Sequence, residues 1–269
     1  MREWLQSFGQ LFFPDVCPAC GEAKRVGSGA LCMACLYGFP LTGFGSRPDN
    51  PVLELFAGQL PVVQASSFFW YIHDSPYRKM IHMLKYYGSW QLARQLGEWM
   101  GAELEQGGLY GDVDVVAAVP LHPFRRMKRG YNQSEYIAKG IASKLERPTD
   151  FASIVRRKYN KSQATRPREE RWENVEGIFA VRRPKRLAGK HILLVDDVLT
   201  TGATIVSCAE AILEAVPDCR ISIATLSVSK SHLQPQRRRA RTLDDFAFMR
   251  KPQPGTPGAI KTTENPPEI

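Results

Sequence analysis

Residues Ile192 to Thr204 read ILLVDDVLTTGAT. The apolar run from Ile192 to Val195 suits a strand buried on both faces, which demands a parallel sheet covered by helices and so sets the class of fold as α/β. Asp196 and Asp197 then fall at the strand's carboxyl end, where open α/β sheets place their ligands. Thr200, Thr201, Gly202 and Thr204 follow, three hydroxyls and a glycine that lets backbone N–H groups close on an anion. Ile205, Val206, Ala209, Ile212, Leu213 and Val216 recur at helical spacing beyond them. The unpaired N–H groups and dipole of that helix's first turn therefore point at the same spot, which is well suited to phosphate.

Two carboxylates beside a phosphate site conflict unless the ligand also carries neighbouring hydroxyls. A ribose 5-phosphate does, with the loop taking its phosphate and the carboxylates accepting from the 2′ and 3′ hydroxyls. A strand running through a single N-cap aspartate into an ordinary helix leaves the second acid and the TTGAT turn unexplained. A nucleotide-hydrolysing site would need a GxxxxGK[ST] loop, and the only Gly-Lys pair, Gly189-Lys190, is followed by His191. The segment resembles the phosphoribosyl pyrophosphate (PRPP) signature of type I phosphoribosyltransferases. By that resemblance Asp196 and Asp197 hold the ribose diol, and Val198, Leu199, Thr200, Thr201, Gly202, Ala203 and Thr204 form the 5′-phosphate loop.

A chain of 269 residues can bury one substantial core plus a small module. No apolar stretch approaches the roughly 18 residues of a membrane span, and the start MREWLQSFGQLFFPD lacks the unbroken apolar block of a secretory signal. A cytoplasmic protein that does not span the membrane is expected. Trp4, Leu5, Phe8, Leu11 and Phe12 share one helical face, read as a docking surface. The net charge of +9 points to an anionic partner, for which a polyphosphate sugar and a nucleic acid both qualify.

Cys17, Cys20, Cys32 and Cys35 form C-x2-C-x11-C-x2-C, with Pro18 and Gly21 supplying the tight geometry that each pair needs. Four thiolates in two close pairs match a tetrahedral structural Zn²⁺ site with no open position for catalysis. Only Lys24 and Arg25 lie between the knuckles, so this module reads as a folding unit more than a contact surface. Cys208 and Cys219 lack such spacing and read as plain buried thiols. Residues 41–61, rich in Pro and Gly, read as a linker or irregular extension.

Ala65 to Ile72 should be a strand, followed by helical patterns through Tyr77, Met80, Ile81, Leu84 and Lys85 and through Leu92, Leu96 and Met100. Val115 to Val119 is a second central strand. Its loop, LHPFRRMKRGYNQ, precedes a helix carrying Tyr136, Ile137, Ile141 and Leu145. Strand, cationic loop and helix is the geometry for a second anion, and this loop, with Arg129, is assigned to pyrophosphate. Arg129 read as a merely solvated charge, and Gln163, Arg171 and Asn174 read as a solvated polar segment, remain open alternatives. His122 and His73 read as structural, and Lys85 as a lysine snorkelling from an amphipathic helix more often than one reaching the site.

The cysteine pairs, VPLHPFRRMKRGYNQ, SQATRPREERWENVEGIF and HILLVDDVLTTGAT together resemble the ComF family, phosphoribosyltransferase-like proteins with an amino-terminal zinc ribbon, over about residues 1–230. That resemblance implies a type I phosphoribosyltransferase-like parallel sheet flanked by helices, a part in DNA uptake, and a fold shared with glutamine PRPP amidotransferases. It also implies that the segment 156–174, with Arg157, Gln163 and Arg171, is a hood closing over the diphosphate. The expected organisation is an amino-terminal helix and ribbon (1–40), a linker (41–64), the main domain (65–233) and a disordered basic tail (234–269). The implied chemistry is displacement of pyrophosphate from PRPP with Mg²⁺ on the diphosphate and ribose oxygens; the acceptor and any catalytic residue are unknown. The alternatives are a non-catalytic PRPP-binding accessory working beside DNA-uptake proteins and a binder of single-stranded DNA through tail and ribbon.

Overall fold

A computed structural model describes residues 16–27, 29–157 and 177–233. The expected amino-terminal helix face, the segment with Gln163, Arg171 and Asn174, and the basic tail lie outside the described residues. The second cysteine pair lies at α1 (Met33–Tyr37), with Cys32 as its N-cap and Cys35 within it, and a 3₁₀ turn (Phe44–Ser46) and α2 (Pro51–Phe56) follow. Next are β1 (Val62–Trp70), α3 (Tyr77–Tyr86), α4 (Trp90–Gly107), β2 (Val115–Ala118), α5 (Pro123–Arg129), α6 (Gln133–Leu145) and β3 (Thr149–Asp150). An antiparallel ribbon of β4 (Ile154–Arg156) and β5 (Phe179–Val181) precedes a second 3₁₀ turn (Pro184–Arg186). The order ends with β6 (His191–Leu199), α7 (Ala203–Ala215), β7 (Arg220–Val228) and α8 (Lys230–Leu233).

The main sheet runs β1-β7-β6-β2-β3 with every pairing parallel, so the expected α/β class holds. Alternation along a strand sends Leu193 and Val195 to one face, where they join Val116, Ala118 and the apolar sides of α3, α4 and α6. Ile192 and Leu194 go to the other, with Val115, Ala117, α2 and α7. Helix α6, which follows β2 and α5, and helix α7, which follows β6, therefore cover opposite faces, although the two strands are neighbours with Ala118 opposite Val195. Their chains part at the carboxyl ends and leave a crevice there, the switch point at which such sheets bind ligands. The four-cysteine module shares the first of these cores, and the Tyr77 hydroxyl at the start of α3 donates to the Cys35 carbonyl at 3.0 Å.

Close approach of α4 and α6 sets where α6 begins. Gly97 and Gly140 make it possible, because a Cβ on Gly97 would stand 2.2 Å from the Ile137 carbonyl oxygen and one on Gly140 would stand 2.2 Å from that of Arg94. Gly140→Ala should therefore destabilise the protein by about 1–3 kcal/mol, overriding the usual gain from alanine in a helix. Urea denaturation checks this, and an unchanged midpoint would show that the helices are not in contact at this point.

Two expectations need correction. Residues 41–61 are not an irregular linker: Asn50 accepts from the N–H groups of Val52 and Leu53, Pro51 occupies the first turn, and Phe44, Val52 and Phe56 are buried in the second core. Asparagine followed by proline is a helix-start signal, and it was hidden among turn-forming neighbours. The cationic loop after β2 likewise contains a helix, α5, capped by the His122 side chain accepting from the Phe124 N–H with Pro123 next in line.

Candidate functional site

Strand β6 runs four residues beyond its apolar block, because pairing with β7 continues to Leu199 opposite Val228. Asp196 and Asp197 thus lie within the strand, and alternation parts them. The Asp196 carboxylate accepts from the Ser134 hydroxyl at the start of α6 and from the Asp197 N–H, both at 2.9 Å. Asp197 instead meets the Lys85 ammonium, 3.2 Å away at the end of α3. Burial, and then the neighbouring Asp197 charge, push the Asp196 carboxyl up to about 7.

The turn after β6 is set by Gly202, whose φ of +79° is left-handed backbone and whose added Cβ would meet the Phe56 ring at 3.2 Å. The misread helix α2 is thus the floor of this turn. Asp196, Val198, Leu199, Thr200, Gly202, Thr204 and Ile205 line a depression. Thr201 and Ala203 are buried away from it, the Thr201 hydroxyl accepting from the Ala203 N–H at 3.4 Å. Thr200 is exposed and Thr204 half-buried, so two of the three hydroxyls face the depression. With the first-turn amides of α7 they make a polar turn beside Asp196, of the kind that suits an anion.

Cations gather across the crevice. Arg129 donates to the Gln133 side chain at 3.0 Å and lies 5.8 Å from the centre of the Tyr86 ring, joining the end of α5 to the end of α3. Tyr131 donates to the Leu84 carbonyl, which ties the RGYN turn to the same place. Asn132 caps α6 at Ser134 and donates to the Val119 carbonyl at 3.1 Å, so the helix start that carries Ser134 is pinned to β2. Arg126 is paired with Glu135 at 2.7 Å.

Of the hood residues, Arg157 is exposed, with its N–H bonded to the Ile178 carbonyl at 2.7 Å. Its neighbour Arg156, passed over in the sequence, is the one turned inward. Its guanidinium stacks 5.3 Å from the centre of the Phe179 ring, and its buried Nε has no hydrogen-bond partner among the described residues. Burial and then Arg125 make its proton easier to lose, while Asp196 opposes this. Only the pairing of β4 with β5 reveals that Arg156, not Arg157, faces the core; three residues of alternation are too short a signal. Ser134 is another residue that sequence reasoning left out, and Lys85, read there as more often snorkelling than reaching the site, meets Asp197.

The four cysteine sulfurs lie within 4.8 Å of one another, as one tetrahedral metal ion would require. The Ala23 and Glu22 backbone N–H groups lower the Cys20 thiol to about 6, favouring the thiolate.

A family model described as "Phosphoribosyl transferase domain" matches residues 132–253, from the cap of α6 through both aspartates. The DNA utilization protein YhgH of Escherichia coli K12 is 25% identical over 201 residues, covering 74% of this chain and 84% of that protein. The competence protein ComFC of Bacillus subtilis is 33% identical over 112 residues, 42% of this chain and 43% of that one. Among solved structures, a glutamine PRPP amidotransferase from B. subtilis is 18% identical with a TM-score of 0.34, covering 53% of this chain and 30% of that one.

Proposed function

We propose that the crevice between β2 and β6, in a chain that matches a phosphoribosyl transferase domain model over residues 132–253 and is similar to YhgH and ComFC, binds PRPP and displaces its pyrophosphate. The observation that carries this is the junction of Asp196, held by Ser134, with the Gly202 cradle at the sheet's switch point. In this reading Asp196 and Asp197 take the ribose diol, and Val198 to Thr204 surround the 5′-phosphate. Arg129 faces the diphosphate with Arg157 and the hood residues Gln163 and Arg171. Positive charge grows on the sugar as its bond to pyrophosphate breaks, and the cations offset the charge leaving with the diphosphate. Mg²⁺ carried on the diphosphate and ribose oxygens would supply further neutralisation. In this reading the protein's own share is placement.

Cys17, Cys20, Cys32 and Cys35 would hold a structural Zn²⁺, a donor set of four soft sulfurs that suits this ion. A reducing cytoplasm would keep those thiols free, and among the described residues no helix is long and apolar enough to cross a membrane. Calorimetry with PRPP and Mg²⁺ tests the pocket; no heat of binding at millimolar ligand would remove the reading. Pyrophosphate release with a panel of bases and amines then separates an enzyme from a non-catalytic PRPP sensor.

A second reading, contact with single-stranded nucleic acid, is favoured by α5. No residue of this helix is buried: Met127 is 75% exposed, and with Phe124 it stands among Arg125, Arg126, Lys128 and Arg129. Tyr86 is joined to it through Arg129, and the next residue, Tyr87, is 70% exposed. Exposed aromatics interleaved with cations suit stacked bases and a phosphate backbone. Tyr87→Ala with Phe124→Ala should weaken binding of an oligo-dT at least 10-fold with an unchanged salt slope, whereas Lys128→Ala should lower the slope by about 1. Fluorescence anisotropy at several salt concentrations measures both, and full affinity in the aromatic variant would dismiss this surface.

A further inference from the structure

Lys85 is the least expected member of the site. It sits on the last turn of α3, a helix fixed at both ends: Tyr77 is bonded to the cysteine module, and the Leu84 carbonyl receives the Tyr131 hydroxyl. Met80, Ile81 and Leu84 anchor its inner face in the core. A lysine held this firmly does not snorkel. Its side chain is 27% exposed and its ammonium meets an Asp197 side chain that is only 16% exposed.

An ion pair alone would use one of the ammonium's three donors. The position says more. Helix α3 covers the same face of the sheet as α6, whereas the Gly202 cradle opens into α7 on the opposite face. The carboxylates lie between them, on β6. A sugar whose diol rests on the aspartates therefore has one end toward the cradle and the other toward Lys85, with Arg129 over the ring of Tyr86, the next residue on α3.

We propose that Lys85 is the ligand of a second anion on the sugar, so that the site selects a pentose charged at both ends over one phosphorylated at a single end. This rests on the sugar-phosphate reading of the pocket. In the free protein Lys85 compensates Asp197. When sugar hydroxyls donate to that carboxylate, the remaining N–H donors of the ammonium turn to the anion at the sugar's first carbon. Lys85 is a binding and selectivity residue, and no proton or bond passes through it.

The test compares two probes, PRPP with Mg²⁺ and ribose 5-phosphate, on the full chain by calorimetry. Lys85→Met keeps the apolar stem and removes the charge; Lys85→Arg keeps the charge. The expected result is a roughly 10-fold or greater loss of PRPP affinity in Lys85→Met, with ribose 5-phosphate within about twofold of wild type or tighter, and recovery of most PRPP affinity in Lys85→Arg. Equal losses for both probes would make Lys85 a prop for Asp197 and overturn the proposal while leaving the pocket standing. Unchanged PRPP affinity would overturn it as well. If the wild-type chain binds neither probe, the pocket reading itself falls and takes this role with it. A melting curve of each variant, matched to wild type, shows that the helix end has kept its fold.

Discussion

Asp196→Asn should lose about 100-fold in PRPP affinity at pH 8 and yet melt no lower than the wild-type protein. The loss follows because the charged acceptor for the sugar hydroxyls becomes a neutral amide, and hydrogen bonds to charged groups are worth about 1.5–3 kcal/mol each. The retained stability follows from burial. The folded state holds this carboxyl at about 7 against an ordinary value of 3.8, so the fold favours its protonated form. That contribution is fully present below the ordinary value and is lost as the pH climbs to about 7, where the buried group must ionise. Asparagine has nothing to ionise, while its side-chain oxygen can still accept from Ser134 and from the Asp197 N–H. The variant's melting temperature should therefore gain on the wild type's between pH 5 and pH 8. PRPP affinity of the wild type should rise over the same span and that of the variant should be flatter. Calorimetry and thermal melts at four pH values check both halves; a variant that melts lower at pH 8 would show that the charge stabilises the fold.

The second large effect belongs to the cysteines. Cys32→Ser, or prolonged chelation, should lower the melting temperature by on the order of 10 °C, because among the described residues the module's buried side chains share the first core of the main domain and its loss strips one wall from that core. Cys17, Ala19, Leu31 and Cys35 pack in the same cluster as Phe69, Met80 and Leu84. Metal analysis of the purified chain should give one zinc per protein, and a variant with neither zinc nor a lowered melting temperature would refute a structural metal. Cys208→Ser, at a buried thiol on α7 outside the four-sulfur group, serves as a control that should leave the zinc content unchanged.

Much of this architecture could be read before any coordinates. The strand at Ile192, the helix after Gly202 and the paired cysteines each combine a strong local pattern with a chemical demand, and these signals agree with one another. The start of α2 was also written in plain form, as Asn50 before Pro51, but it was masked by a composition that usually means a loop. What could not be read depends on contacts distant in the chain. Ser134 reaches Asp196 across 62 positions, and Lys85 reaches Asp197 because two tyrosine hydroxyls, those of Tyr77 and Tyr131, fix the two ends of α3. The inward turn of Arg156 depends on a ribbon of three residues per strand. Periodicity says which side of an element is apolar; it does not say which polar groups from different elements will share a crevice.

The bond from Tyr77 to the Cys35 carbonyl ties the four-cysteine module to the helix whose far end carries Lys85, so under the proposed reading the module is a distant tether for the sugar. Oxidant or metal starvation that loosened the sulfurs would reach the sugar through one helix, first as a less firmly placed ammonium. In that reading a metal at the sulfurs would influence ligand choice without touching the reacting atoms.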